Sequence, residues 1–300
     1  MSDYIAELRA LPRTKDFFVG IDSDGCAFDT MEIKHKECFI PNIIHGWDLQ
    51  AVSRFAREAA EFVNLYSQWR GINRFPALTM VFDLLADRPE AIQRGYRPPQ
   101  VDSLREWIRR ESALSSSTLR QEVARTNDPV LRRALAWSDA VNQTIEKIIR
   151  GVPPFPLVRQ SLQKLSAQAD IMVVSATPTE SLEREWREHD VAKHVIQICG
   201  QEKGSKKEHL QYAAGGKYEA DHILMVGDAL GDLTAAQDNN VLFFPIIPGQ
   251  EGESWKRFHQ EAADWFQAGT YRGAYEDELI REFQSHLPST PPWKTQISQI

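Results

Sequence analysis

The stretch "GIDSDGCAFDT" (residues 20–30) places Asp22 and Asp24 two positions apart, where the apolar run "FFVGI" stops. Alone, it reads as a capped turn, because Asp and Gly favour turns. Three other places in the chain change that reading. Ser175 ends the run "IMVVS". Lys203, Lys206 and Lys207 lie in "GQEKGSKKEHL", after "VIQIC". "GDALGD", after "HILM", carries Asp228 and, one helical turn on, Asp232. Together they offer carboxylates, a hydroxyl and a lysine. Clustered carboxylates repel one another unless a cation sits among them. Oxygen donors suit Mg²⁺, which keeps water and phosphate oxygens in its shell. A lysine and the N–H groups of a turn suit a phosphate. One carboxylate can act as a nucleophile and a second can move protons. These residue types compose a phosphoryl-transfer site.

The elements that must position them are short buried strands. The runs begin at Phe17, Ile171, Val195 and His222, and a fifth, "VLFFPII", spans Val241–Ile247. Several are apolar on both faces, as burial between helix layers requires. Helical patterns separate the later runs: "PLVRQSLQKLSAQ", "TESLEREWREHD", "SKKEHLQYAA" and "GDLTAAQDNN". The expected fold is α/β, a Rossmann-like parallel sheet with ligands at the carboxyl ends of its strands. Residues 31–151 show no convincing strand. They carry helical patterns instead, such as "DLQAVSRFAREAAEFVNLYSQW" and "DPVLRRALAWSDAVNQTIEKIIRG", the latter with Asp128 as N-cap and Pro129 at the first helical position. The expectation is a large all-helical insert over 31–151, with 1–30 and 152–300 forming the sheet domain. The amphipathic segments after Ile247 are expected to pack on that domain, with the Pro-rich end extended.

The four sites resemble the four motifs of the haloacid dehalogenase superfamily, in its phosphatase branch. "DSDGCAFDT" is similar to its first motif, Ser175 in "VVSATP" to its second, the lysine to its third and "GDALGD" to its fourth. A helical cap inserted after the first motif also matches the family. The resemblance implies Asp22 as nucleophile and Asp24 as general acid/base. It implies Ser175 as a hydrogen-bond donor to the phosphoryl group and Lys206 as the neutralising cation, with Lys203 and Lys207 still open. Its Mg²⁺ site would comprise Asp22, the backbone carbonyl of Asp24, Asp228 and Asp232, the last through the water shell or the lysine. The implied activity is hydrolysis of a small phosphorylated metabolite through an aspartyl-phosphate. A phosphomutase would leave the same motifs, and a quiet phosphate-binding protein is the third reading. Ser23 and Cys26 depart from the family's usual bulky apolar residue and Thr or Val. Ser23 is expected to loosen the packing there.

The net charge of −7 disfavours nucleic acid and anionic membrane surfaces as partners. No run approaches a membrane helix in length, and the first residues do not read as a signal peptide, so a cytoplasmic protein is expected. The three cysteines, Cys26, Cys38 and Cys199, form no CxxC pair and are expected to be free thiols. The sequon at Asn142 then reads as chance. Trp107 and Trp137 read as core, and Trp69, Arg70, Arg74 and Phe75 as residues near a loop of the helical insert with core or surface roles, reach into the site being the lesser reading. The oligomeric state is left open.

Overall fold

A computed structural model describes residues 3–295. The chain forms two compact units, Met1–Met31 with Arg150–His286, and Glu32–Ile149 with Leu287–Ile300.

The first unit is built on a five-stranded sheet: β1 Phe17–Ile21, β2 Ala169–Val174, β3 Gln197–Cys199, β4 Ile223–Gly227 and β5 Leu242–Pro245. Every neighbouring pair is parallel, in the order β3-β2-β1-β4-β5. The expected α/β fold is therefore present. All residues of β1, β2, β4 and β5 are buried, as helices on both faces of a parallel sheet demand. Helices Val158–Leu165, Thr179–Glu188, Lys206–Ala213 and Leu230–Asp238 lie where their patterns place them. After β3 the chain crosses β1 to form β4 on its other side. The direction of winding reverses there, and the carboxyl ends of β1 and β4 flank the switch point at which such sheets bind ligands.

The tail up to His286 belongs to this unit. Helix Ala274–Ser285 covers β5, with Phe283 against Phe243 at 5.7 Å between ring centres. The outer edge of β5 is satisfied by side chains. Glu276 accepts from the Phe243 amide (2.9 Å), and the Tyr271 hydroxyl donates to the Phe243 carbonyl (2.7 Å). An edge strand with its polar groups occupied no longer templates a further strand.

The rest of the tail departs from expectation. Leu287 onward groups with the helical unit, and Pro292–Thr295 is a helical turn rather than extended chain. Trp293 decides this. Its ring meets Phe62 edge-on at 5.8 Å and lies 4.7 Å from the Arg88 guanidinium, while Lys294 pairs with Asp87 at 2.9 Å. Residues 296–300, also expected to be extended, fall outside the described residues.

In the helical unit the long helices are Ser53–Leu65, Arg74–Ala86, Asp102–Arg110, Ser116–Thr126 and Pro129–Ile148. Asp128 caps the last, accepting from the amides of Val130 (2.8 Å) and Leu131 (2.9 Å). Trp107 and Trp137 are core, with the Phe75 ring edge-on to each. Arg74–Ala86 has no counterpart in the periodicity reading. Its buried residues Phe75, Leu78, Val81, Phe82 and Leu85 share one face, but Pro76, Met80 and Leu84 make the opposite face apolar as well, so no stripe stands out in the sequence. All three cysteines are free, and no described helix is long and apolar enough to cross a membrane.

Candidate active site

The β1–β4 register brings the first and last motifs together. Ile21 pairs with Val226, and the ladder continues one residue further: the Asp22 amide donates to the Val226 carbonyl at 3.0 Å. Asp22 thus leaves β1 beside the point where Asp228 leaves β4. Both are buried. The Asp22 Oδ1 accepts from the Ser23 amide at 2.7 Å, which fixes the carboxylate's orientation.

Asp232 reaches the same place from the first turn of helix Leu230–Asp238. Its Oδ2 folds back onto the amides of Asp228 (3.2 Å) and Ala229 (3.1 Å), capping its own helix. Gly227 permits this. A Cβ there would lie 2.4 Å from the Asp232 side chain, closer than real atoms approach.

Lys206 is set by a capping box. In Ser205-Lys206-Lys207-Glu208 the Ser205 hydroxyl accepts from the Glu208 amide (3.3 Å), and Glu208 accepts from the Ser205 amide (2.8 Å). This puts Lys206 at the first helical position. Its Nζ bridges Asp22 Oδ2 at 2.6 Å and Asp232 Oδ1 at 2.5 Å. The other lysines are engaged elsewhere, Lys203 with Glu7 (2.5 Å) and Lys207 with Asp238 (2.9 Å). Of the three, Lys206 is the one that joins the carboxylates.

Asp22, Asp228 and Asp232 each offer an oxygen, all within 4.8 Å of one another. Lys206 bridges two of these three buried carboxylates, and the cluster concentrates negative charge in one place. Burial pushes the Asp232 pKa upward, the Lys206 charge opposes this and Asp22 adds to it. Burial works against the Lys206 ammonium, but Asp22 and Asp232 outweigh it and raise the pKa, so the lysine stays charged. An all-oxygen, charge-rich donor set of this kind fits a hard divalent cation such as Mg²⁺.

Asp24 stands outside that group. Its carboxylate accepts from the Thr177 hydroxyl at 2.9 Å and from the Thr30 hydroxyl. Ser175 is buried at the end of β2. Its amide donates to the Cys199 carbonyl (3.0 Å), and its hydroxyl accepts from the Thr177 amide (3.3 Å), the turn role that such a residue plays by itself. Thr177 therefore links the second motif to the first, a role that nothing in the chain's periodicity signals.

Ser23 does not loosen the packing. Its side chain is fully buried, donates to Glu185 Oε2 (3.1 Å) and accepts from the Trp186 indole (3.0 Å). Both partners come from helix Thr179–Glu188, so the helix after β2 clamps the loop after β1. On the far side the Trp255 indole donates to the Cys26 carbonyl at 2.7 Å, so the tail also buttresses this loop. Burial, with Asp228 and Asp22 nearby, raises the Cys26 pKa well above its ordinary value, and the thiol stays protonated. Gly25 has φ +78°, in the left-handed region that glycine enters without strain.

The fold and the site together define an α/β chain with a lysine-bridged carboxylate cluster at the winding reversal of a parallel sheet. No protein-family model matches the sequence, and no curated protein does. Among solved structures the chain is similar to a haloacid dehalogenase-like family hydrolase from Xanthomonas campestris, with a TM-score of 0.45, 12% identity and coverage of 88% of this chain and 97% of that one. It is also similar to a predicted phosphatase from Clostridium acetobutylicum (TM-score 0.44, 12% identity, 85% and 98% covered) and a predicted phosphoglycolate phosphatase from Haemophilus somnus (TM-score 0.43, 14% identity, 78% and 86% covered).

Proposed function

We propose that this chain is a Mg²⁺-dependent phosphohydrolase that acts on a small phosphorylated metabolite through an aspartyl-phosphate on Asp22. The observation that supports it most is the Asp22–Lys206–Asp232 bridge beside Asp228, at the carboxyl ends of β1 and β4. Asp22, the Asp24 backbone carbonyl and Asp228 would hold the cation, with Asp232 in its water shell or on Lys206. When bound, Mg²⁺ supplies positive charge against the phosphate oxygens.

Asp22 attacks phosphorus as the bond to the leaving oxygen breaks, and Asp24, as a carboxylic acid, gives that oxygen its proton. Asp24, now a carboxylate, takes a proton from the water that attacks the phosphoaspartate. Phosphate leaves and Asp22 is restored. Lys206 balances the charge that builds on the transferring group, and the Ser175 hydroxyl donates to one of its oxygens.

The test is release of phosphate from p-nitrophenyl phosphate by the purified chain. The expected result is turnover with Mg²⁺, lost in excess EDTA and reduced more than about a thousandfold in Asp22→Asn, as removal of a nucleophile does. Turnover that survives both treatments overturns the proposal. With a sugar phosphate in place of p-nitrophenyl phosphate, isomerised product without free phosphate shows a phosphomutase instead.

A further inference from the structure

Thr177 stands two residues past Ser175, in the turn that follows β2, and its backbone is tied at both ends. Its amide donates to the Ser175 hydroxyl (3.3 Å), and its carbonyl accepts from the Gln201 amide (3.1 Å) in the loop after β3. That loop comes so close that a Cβ on Gly200 would lie 2.4 Å from the Thr177 carbonyl oxygen. With the backbone fixed and the β-branched side chain stiff at its first torsion, the hydroxyl has a set direction. It donates to Asp24 Oδ2 at 2.9 Å. Asp24 Oδ1 accepts from the hydroxyl of Thr30, a fully buried residue that opens the short helix Thr30–Ile33.

Two hydroxyls from two elements, one on each oxygen, fix the plane of the Asp24 carboxylate as well as its position. They differ in kind from the donors on Asp22. The Ser23 amide and the Lys206 ammonium can only give hydrogen bonds, so they suit a group that stays ionised. A hydroxyl both gives and accepts. Thr177 can therefore hold Asp24 in one orientation with or without a proton on it. A carboxylate that serves only to staple two loops is better held by fixed donors, as the Thr14 and Lys15 amides hold Asp170.

We infer that, given the phosphohydrolase reading on which this rests, Thr177 is a positioning residue that aims the Asp24 carboxyl at the leaving oxygen. It matters for esters whose alcohol departs poorly without a proton. Thr177 acts through Asp24, so its effect follows how much the leaving group needs an acid.

The test compares kcat/KM of the full chain with Mg²⁺ for two esters of similar shape, phenyl phosphate and p-nitrophenyl phosphate. The nitro group stabilises the departing phenolate, so the second ester has little use for an acid. Because kcat/KM reports the steps through departure of the leaving group, it isolates the acid's part from the later attack of water. Thr177→Val should lower kcat/KM for phenyl phosphate by about tenfold or more, a share of what a general acid contributes, and that for p-nitrophenyl phosphate by less than about threefold. Thr177→Ser keeps the hydroxyl and should stay near the parent on both esters, whereas Thr177→Ala should behave as Thr177→Val does. Circular dichroism reports folding, and the Ser and Ala variants carry the test if Thr177→Val does not fold. Equal losses on the two esters, no loss on either, or Thr177→Ser as slow as Thr177→Ala overturns the inference and leaves the phosphohydrolase reading standing. A parent chain that turns over neither ester sinks that reading, and this inference with it.

Discussion

A single buried carboxylate and a cluster of three lie at opposite ends of one sheet. At the amino end, Asp170 on β2 is buried and saturated with donors: the Thr14 amide (2.7 Å) and hydroxyl (2.5 Å), the Lys15 amide (3.0 Å) and the Tyr218 hydroxyl (2.7 Å). Burial alone would raise its pKa, but the bonds from Thr14 and Tyr218 win and hold it low. At the carboxyl end, Lys206 bridges Asp22 and Asp232, and Asp228 offers an oxygen within 4.8 Å of theirs. One site is closed by neutral donors and needs nothing more. The other gathers three carboxylates around one place, which a cation and a phosphate can use. Burial by itself does not mark function. The difference lies in whether the protein already satisfies the charge.

The comparison breaks or sharpens at measurable points. The largest effect is expected at the open site. Asp228→Asn should raise the Mg²⁺ concentration for half-maximal turnover by about a hundredfold, through loss of one charged ligand, yet leave the metal-free melting temperature unchanged or higher because a repelled charge is gone. A large loss of stability instead would make Asp228 a structural residue like Asp170.

Asp170→Ala should do the converse. It strands several donors and should cost about 3 kcal/mol in urea unfolding, with phosphatase activity per folded molecule unchanged. Lost activity in fully folded protein would erase the contrast.

His209, fully buried on the Lys206 helix, probes the ground between the sites. Burial, with the Lys206 charge adding to it, pulls its pKa from 6.5 to about 4. The unfolded chain therefore takes up the proton first as pH falls. The stability that His209 contributes is complete above about pH 6.5 and drains away toward pH 4, by about 3 kcal/mol in all. Between pH 6.5 and 4 the stability of the parent, from urea unfolding, should fall by about 3 kcal/mol more than that of His209→Phe. Equal slopes for both proteins would remove His209 from the account.

The smallest effect is expected at Ser23. Ser23→Ala takes the acceptor from the Trp186 indole and should cost about 1 kcal/mol. A fall in kcat larger than the fall in stability would show that the clamp holds Asp22 in register as well as packing the loop.

Much of this was legible in the chain. The apolar runs, the Asp and Ser residues that follow them and the helix opening at "SKKEHL" are local signals, because strand burial, turns and caps act over a few residues. Lys206 was the first choice of the three lysines from its place at the helix start, but Lys203 and Lys207 stayed open, since adjacent helix positions point about 100° apart and only the packed helix shows which one meets Asp22. Helix Arg74–Ala86 was hidden because apolar residues all round it leave no period to read. Ser23 looked like a loosened contact because its partners, Glu185 and Trp186, lie more than 160 residues away.

The sequence by itself determined the strands, the all-helical stretch between the first two and the residue types at each strand end. Those follow from local burial patterns and turn chemistry. Only the tertiary structure decided which ends meet. The strand order put β4 beside β1, the Ile21–Val226 register aligned Asp22 with Asp228, and the same sheet left Asp170 at the opposite end. Trp293 drew the last described residues to the helical unit, because an aromatic ring follows its packing partners rather than its place in the chain.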